Sequence, residues 1–243
     1  MMKKIVLSVV SIMMTSVLSF HLVSCKNDND DMNEKPQVDV DEALLARILQ
    51  DSVIQAVDLG LSVKWANMNL GAHKTLDFGD YYAWGETSPK ESYELSNYKW
   101  YSGSDIYMSK YCTERVDVED GNFITLELSD DAAYVNWGTT WRMPTNDEFI
   151  ELNSNCTWKW IESNGVNGYV VIGPNGNGIF LPLAGYRNLE KHFDAGNYGY
   201  YWSSSINPSN ALNGRCFLYN RQHTLVNGTY RYFGLSIRPV TKE

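Results

Sequence analysis

The apolar positions of this chain fall into three regimes. Residues 5–23 are apolar or small and polar, carry no charge, and follow Lys3 and Lys4. A positive start before such a run is the layout of a secretory signal, which does not belong to the fold. Ser8, Ser11, Thr15, Ser16, Ser19 and His21 dilute the run, and no basic cluster follows it. An uncleaved transmembrane helix, for which the length nearly suffices, is therefore the weaker reading. Residues 26–42 hold seven acids and two lysines with almost nothing apolar. Such a segment buries too little surface to fold and reads as a disordered tether.

Periodicity appears from residue 43. Leu44, Leu45, Ile48, Leu49 and Val53 share one face of a helix over 43–53, with Arg47, Gln50 and Asp51 opposite. The segment 43–56 is thus a short helix that packs on the domain after it, or a stalk. Beyond Gln55 the apolar residues come in short alternating bursts, which predict strands at 63–67, 81–84, 169–172, 179–181, 200–203, 216–219 and 235–239. Asn/Gly turns, such as 174–178, separate them. Ser129 can cap a helix that opens on Asp130 and Asp131 and ends at Gly138. Thr145 and Glu148 form a capping box ahead of Phe149 and Leu152. Two short helices among many short antiparallel strands and long loops define an α+β domain over 57–243. No internal repeat of about 20–50 residues is present.

Composition and charge narrow the function. All 8 Trp and 16 Tyr lie beyond residue 55. Net charge is −9, and loss of Lys3 and Lys4 with the signal makes it −11. An acidic surface repels phosphate backbones, so nucleic acid is not a partner. The tetrapeptide Leu22-Val23-Ser24-Cys25 resembles a bacterial lipobox. That resemblance implies cleavage after residue 24 and a lipid-modified Cys25, so the mature chain carries an acidic tether over 25–42. It also implies attachment to the bacterial outer membrane. With roughly 0.8 kcal/mol for each buried methylene, several acyl chains hold a protein there without any basic patch. The acids after Cys25 partly match the export signal of Bacteroidota surface lipoproteins, although Asn27 and Asn29 interrupt them. The expected orientation is toward the cell exterior; a plain solvated spacer accounts for the same composition. With Cys25 assigned to lipid, Cys112, Cys156 and Cys216 remain, so at most one disulfide forms and one thiol is left over.

Eight phrases occur in order: 57–66 (Val-Asp-Leu-Gly-Leu-Ser-Val-Lys-Trp-Ala), 79–87 (Gly-Asp-Tyr-Tyr-Ala-Trp-Gly-Glu-Thr), 130–133, 136–138, 141–145 (Trp-Arg-Met-Pro-Thr), 181–187 (Leu-Pro-Leu-Ala-Gly-Tyr-Arg), 201–205 (Tyr-Trp-Ser-Ser-Ser) and 234–240 (Gly-Leu-Ser-Ile-Arg-Pro-Val). Together they resemble the major paralogous domain first noted in Fibrobacter and abundant in Bacteroidota lipoproteins. That family is similar to C-type-lectin-like and formylglycine-generating-enzyme-like folds. The resemblance implies that the two ends of the domain pair as neighbouring strands. Met68 stands where family members often carry cysteine, a departure that accounts for the odd thiol count and leaves any family disulfide open. Trp65, Trp84, Trp137, Trp141 and Trp202 are candidates for the core, and Arg142, Arg187 and Arg238 for clamps on carbonyls or carboxylates.

Catalytic chemistry is not legible. Ser203, Ser204 and Ser205 lack the Gly-x-Ser-x-Gly context. His73, His192 and His223 form no metal pair. Cys216 alone cannot replace the cysteine pair of formylglycine-generating enzymes, and the calcium tripeptides of true C-type lectins do not occur. No catalytic residue, metal or cofactor is expected. The segment between Trp202 and Gly234 has the Tyr, Asn and Arg content of adaptable recognition loops. Its candidate ligand contacts are Asn207, Arg215, Tyr219, Asn220, Arg221, His223, Tyr230 and Arg231; solvation of a long hairpin explains each of them equally well. The leading expectation is a lipid-anchored cell-surface binding module for an extracellular glycan or protein. The alternatives are an assembly subunit of a surface appendage and, third, an extracellular hydrolase.

Overall fold

A computed structural model of the chain describes residues 41–50, 52–104, 107–112 and 125–243. The chain divides into Met1–Val38 and Asp39–Glu243, and everything described belongs to the second unit. The lipobox, Cys25 and most of the acidic tether lie outside the described residues. The architecture is mixed α+β, mostly antiparallel sheets with a few short helices.

Helix α1 (Glu42–Leu49) opens on Asp41, whose carboxylate accepts from the amide of Ala43 at 3.1 Å. Ile48, with Leu44, Leu45 and Leu49, packs against Leu76, Val170 and Phe180. The helix ends short of the sequence expectation: Val53, assigned to its apolar face, is 67% exposed. Strands β1 (Ala56–Val57) and β2 (Lys64–Ala66) follow, then a long aromatic loop with a hairpin of β3 (Tyr101–Ser104) and β4 (Tyr107–Met108). Helices α2 (Ala132–Trp137) and α3 (Asn146–Asn155) lead into β5 (Thr157–Ser163), β6 (Val166–Ile172), β7 (Gly178–Pro182), β8 (Tyr186–Asn188) and β9 (Lys191–Phe193). The last strands are β10 (Gly199–Ile206), β11 (Asn213–Tyr219), β12 (Thr224–Tyr230) and β13 (Val240–Thr241).

The domain closes on itself. β13 pairs antiparallel with β2, Val240 opposite Trp65, in a sheet ordered β1–β2–β13. A second sheet is β5–β6–β7, and the central one is β10–β11–β12. Because successive side chains of a strand point to opposite faces, the central sheet feeds two cores. Tyr201, Phe217 and Tyr219 join Trp65, Phe149, Leu152, Leu181 and Val240 on one side. Trp202 and Cys216 join Trp84, Tyr82, Met143, Leu235 and Ile237 on the other. Trp65, Trp84 and Trp202 are fully buried, whereas Trp137 and Trp141 are only half-buried and pack edge to face on each other at 5.4 Å.

The capping box at Thr145 forms as expected: its hydroxyl accepts from the amide of Glu148 at 3.2 Å, and Glu148 accepts from the amide of Thr145 at 2.8 Å. The cap of α2 is Asp131 rather than Ser129. Asp131 accepts from the amides of Ala133 (2.9 Å) and Tyr134 (3.1 Å), and Gly138, at φ 96°, closes the helix. Asp130 is turned away from the helix: Lys99 and Lys110 reach its two oxygens at 2.7 Å each, and Tyr111 donates to it at 2.7 Å.

Two expected strands are not strands. Residues 81–84 make a single bridge, Tyr82 with Leu235, and 234–236 contribute isolated bridges before β13 begins. Their bonding groups are used singly, by Leu235 and by the carbonyl of Arg231, which accepts from the amide of Trp84. None of Cys112, Cys156 and Cys216 is in a disulfide.

Candidate recognition surface

In the hairpin of β8 and β9, Tyr186 sits directly opposite Phe193 and stacks on it with centroids 5.4 Å apart and planes 18° apart. The segment after β12 is held against β8 by paired backbone bonds: the amide of Arg187 donates to Gly234 at 2.7 Å, and the amide of Gly234 to Arg187 at 2.9 Å. Only glycine fits there, since a Cβ on Gly234 would stand 2.7 Å from the ring of Tyr93. This docking brings Phe233 onto Tyr186 as well, stacked at 5.3 Å.

The contacts run outward in both directions. Tyr200 meets Tyr186 at 5.1 Å and Tyr198 at 6.0 Å. Phe233 meets Tyr232 at 5.0 Å and Tyr230 at 5.4 Å, and the last two stack at 5.3 Å. Seven aromatic rings thus form one unbroken array along the side of the central sheet. Phe193 is 37% and Tyr230 is 45% exposed, and the other five are half-buried. Leu225, 49% exposed, lies in the cross-strand row Tyr200–Leu218–Leu225 and so shares a face with Tyr200. Contiguous exposed apolar surface of this kind marks interaction sites on soluble domains.

The array carries hydroxyls as well as ring faces. Burial, and then the nearby Asp194 carboxylate, raise the phenols of Tyr186 and Tyr200 above their ordinary range, and burial raises Tyr232. They stay neutral donors and acceptors at physiological pH. Tyr200 donates to Asp194 at 3.4 Å.

The eight residues expected to contact ligand do not form one site. Tyr219 is fully buried and donates to the carbonyl of Pro182 at 2.9 Å. Arg231 is fully buried, donating to the carbonyls of Tyr111 (2.9 Å) and Asn213 (3.1 Å), 4.5 Å above the ring of Trp84. Asn207 is buried and accepts from the amide of Ser209 at 3.0 Å. These three belong to the interior, a correction to the sequence reading. Asn220 accepts from the amides of Gln222 and His223 and so shapes the tip of the β11–β12 hairpin, where Arg221 and His223 are exposed and Arg221 lies 5.4 Å over Trp160. Arg215 is half-buried in β11. Of the eight, only Tyr230 belongs to the array. Sequence reading missed Tyr186, Phe193, Tyr198, Tyr200, Tyr232 and Phe233; the doublet Tyr200-Tyr201 was a signal, since one ring of such a pair must face away from the core that buries the other.

Reactive groups are quiet. Burial pushes the Cys216 thiol up to about 12 and the Cys156 thiol up to about 11, so neither is a thiolate nucleophile. Ser203 is buried and accepts from the amide of Ser205. Among the described residues, no group of three His, Cys, Asp or Glu could hold a metal ion, and no helix is long and apolar enough to cross a membrane. Arg142 and Arg238 act as clamps: Arg142 donates to Glu148 at 2.8 Å, and Arg238 to Phe180, Asn69 and Ala66. Arg187 does not.

The described residues form an α+β domain with an aromatic face and no assembled catalytic constellation. The chain matches no family model, no curated protein and no solved structure.

Proposed function

We propose that this protein is a lipid-anchored binding module, held at the bacterial outer membrane through Cys25 and displayed to the exterior, which recognises an extracellular glycan. The observation that carries this reading is the unbroken array of seven rings centred on Tyr186. Rigid aromatic faces supply contact area at small entropic cost, and phenol hydroxyls add directional bonds. Sugar rings present the matching chemistry: apolar C–H faces bordered by hydroxyls. The assignment to the C-type-lectin-like paralogous domain is part of the proposal; it is supported by the pairing of the domain's last strand, β13, with β2 near its start, Val240 beside Trp65.

The test is a glycan and protein array probed with residues 26–243, which include the whole compact unit. Binding to a glycan class that disappears in Tyr230→Ala and Phe193→Ala supports the reading. Binding to proteins alone, or glycan binding indifferent to both changes, refutes it.

One observation favours an assembly role instead. The edge strand β12, Thr-Leu-Val-Asn-Gly-Thr-Tyr, has no charge and no proline, and Leu225 and Tyr230 are exposed on it. Edge strands without such guards pair readily with other chains. A purified chain that stays monomeric at high concentration and co-isolates with nothing counts against that role.

A further inference from the structure

Tyr186 and Arg187 are neighbours on β8, so their side chains leave opposite faces of the strand. Tyr186 centres the aromatic array. Arg187 reaches a separate cleft of about 330 Å³, lined by Asp80, Tyr81, Lys90, Glu91 and Tyr93. The cleft stands independently of the glycan reading.

Lys90, Tyr93 and Tyr81, which line it, are held by partners in the fold. Lys90 bonds Glu86 at 2.9 Å and Asn97 at 2.9 Å. Tyr93 donates to the carbonyl of Tyr81 at 2.5 Å and accepts from the amide of Lys90 at 3.0 Å. Tyr81 donates to the carbonyl of Ala184 at 2.6 Å, and its oxygen also meets His192 at 2.8 Å. Arg187, half-buried, has its guanidinium 5.4 Å above the ring of Tyr81, and its five donors make no hydrogen bond or ion pair among the described residues. Asp80 and Glu91 line the same cleft without pairing to it.

A partly desolvated guanidinium over an aromatic ring is a fork without its acceptor, and the group whose geometry fits that fork is a carboxylate or a phosphate. The rest of the cleft decides between them. Asp80 and Glu91 repel a phosphate dianion, and the net charge of −9 adds to the repulsion. A ligand with a single charge, and with donors a few atoms from it, satisfies both ends: its carboxylate takes the Arg187 fork and its donors reach the two acids. We propose that this cleft is a subsite for a small monocarboxylate carrying hydrogen-bond donors, the chemistry of a uronic acid residue or of a free amino acid.

The experiment is isothermal titration of the full chain in detergent with glucuronate, glucose, inorganic phosphate and glycine in parallel. Binding of glucuronate or glycine, with glucose and phosphate silent, supports the subsite, and the arm that responds identifies the source. Arg187→Gln should weaken that binding about tenfold or more, while Arg187→Lys, which keeps the charge and loses the fork, should fall between. Melting temperature should move little in either variant, because among the described residues the Arg187 side chain makes no hydrogen bond or ion pair and only rests over the Tyr81 ring. Phe193→Ala should leave carboxylate binding unchanged, which separates this subsite from the aromatic face. Equal binding of glucose, a preference for phosphate, no binding in any arm, or full affinity in Arg187→Gln overturns the proposal.

Discussion

The guanidinium of Arg238 is fully buried and donates to the carbonyl of Phe180 at 2.8 Å, which fastens the C-terminal segment to β7. Its other donors reach Asn69 Oδ1 at 2.9 Å and the carbonyl of Ala66 at 3.1 Å. No carboxylate balances this charge among its hydrogen-bond partners; burial lowers the tendency of Arg238 to hold its proton, and the phenols of Tyr201 and Tyr219 oppose that effect. One planar fork therefore joins three segments that are distant in sequence. Arg238→Lys keeps the charge but cannot reach three divergent acceptors. The expected cost is about 2–4 kcal/mol, from buried carbonyls left without donors, read as a lower urea midpoint at unchanged slope.

Asp130 gives the domain an acid limit. Burial works against its charged form, but hydrogen bonds from Lys110, Lys99 and Tyr111 outweigh it and hold the carboxyl below its ordinary value. A carboxyl depressed in the folded state stabilises the fold fully above its unfolded pKa, about 3.9, and loses that contribution as pH falls through the folded value. Glu148, held down by Arg142 against its own burial, acts in the same direction. Asp131, raised by burial, acts oppositely and blunts the slope. Melting temperature should fall steeply below about pH 4. In Asp130→Asn it should be lower at pH 7 and decline less on acidification.

Tyr219 tests the correction to the sequence reading. Its ring stacks on Tyr201 at 5.8 Å, and both hydroxyls donate to the carbonyl of Pro182. Tyr219→Ala should destabilise by about 3–5 kcal/mol, the range for emptying an aromatic site in a core. Tyr219→Phe should cost about 1 kcal/mol, the worth of one hydrogen bond. Ligand affinity of the fraction that remains folded should not change, which titration at low temperature checks.

What the sequence made legible was local. The Thr145–Glu148 box could be read because both partners lie within one turn. At Asp130-Asp131 the same local logic had two answers, and the choice was made by Lys99 and Lys110, which lie elsewhere in the chain. The alternation in 200–203 and 216–219 predicted strands correctly, since β10 and β11 bury residues on both faces. The same alternation in 235–239 did not, because a segment becomes a strand only where a neighbour offers a continuous row of bonds. Arg221 and Arg231 look alike in sequence; Trp84 and the carbonyl of Tyr111 bury one, while the hairpin tip exposes the other. The aromatic face was illegible for a related reason: Phe233 meets Tyr186 only through the backbone pairing of Arg187 with Gly234.

Thiol chemistry offers an independent check on burial. Cys216 is fully buried, and burial pushes its thiol up to about 12; Cys156, half-buried, rises to about 11. At pH 7.5 the thiolate fraction of both is negligible, so neither should react with a disulfide reagent on the folded protein within minutes. Both should react at once in denaturant. Rapid native labelling of Cys216 would mean that the core between Trp202 and Trp84 opens on that timescale.

The aromatic face makes the sharpest functional prediction because its outer rings carry little of the fold. Phe193 lies at the end of the two-stranded β8–β9 hairpin, and Tyr230 at the end of an edge strand, both substantially exposed. Their replacement by alanine should lower stability by no more than about 1 kcal/mol, as for exposed positions generally. Tyr186 is different: it stacks on Phe193 and Phe233 and packs against the Trp202 core, so Tyr186→Ala should cost both stability and affinity. If each outer ring stacks on one sugar unit, its loss should remove about 1–3 kcal/mol of binding, or roughly five- to 150-fold. Shortening the glycan by one unit should then make the wild type resemble one of the variants, because ring and sugar are lost as a pair. Affinity that falls with glycan length but ignores Phe193 and Tyr230 would place the ligand elsewhere on the domain.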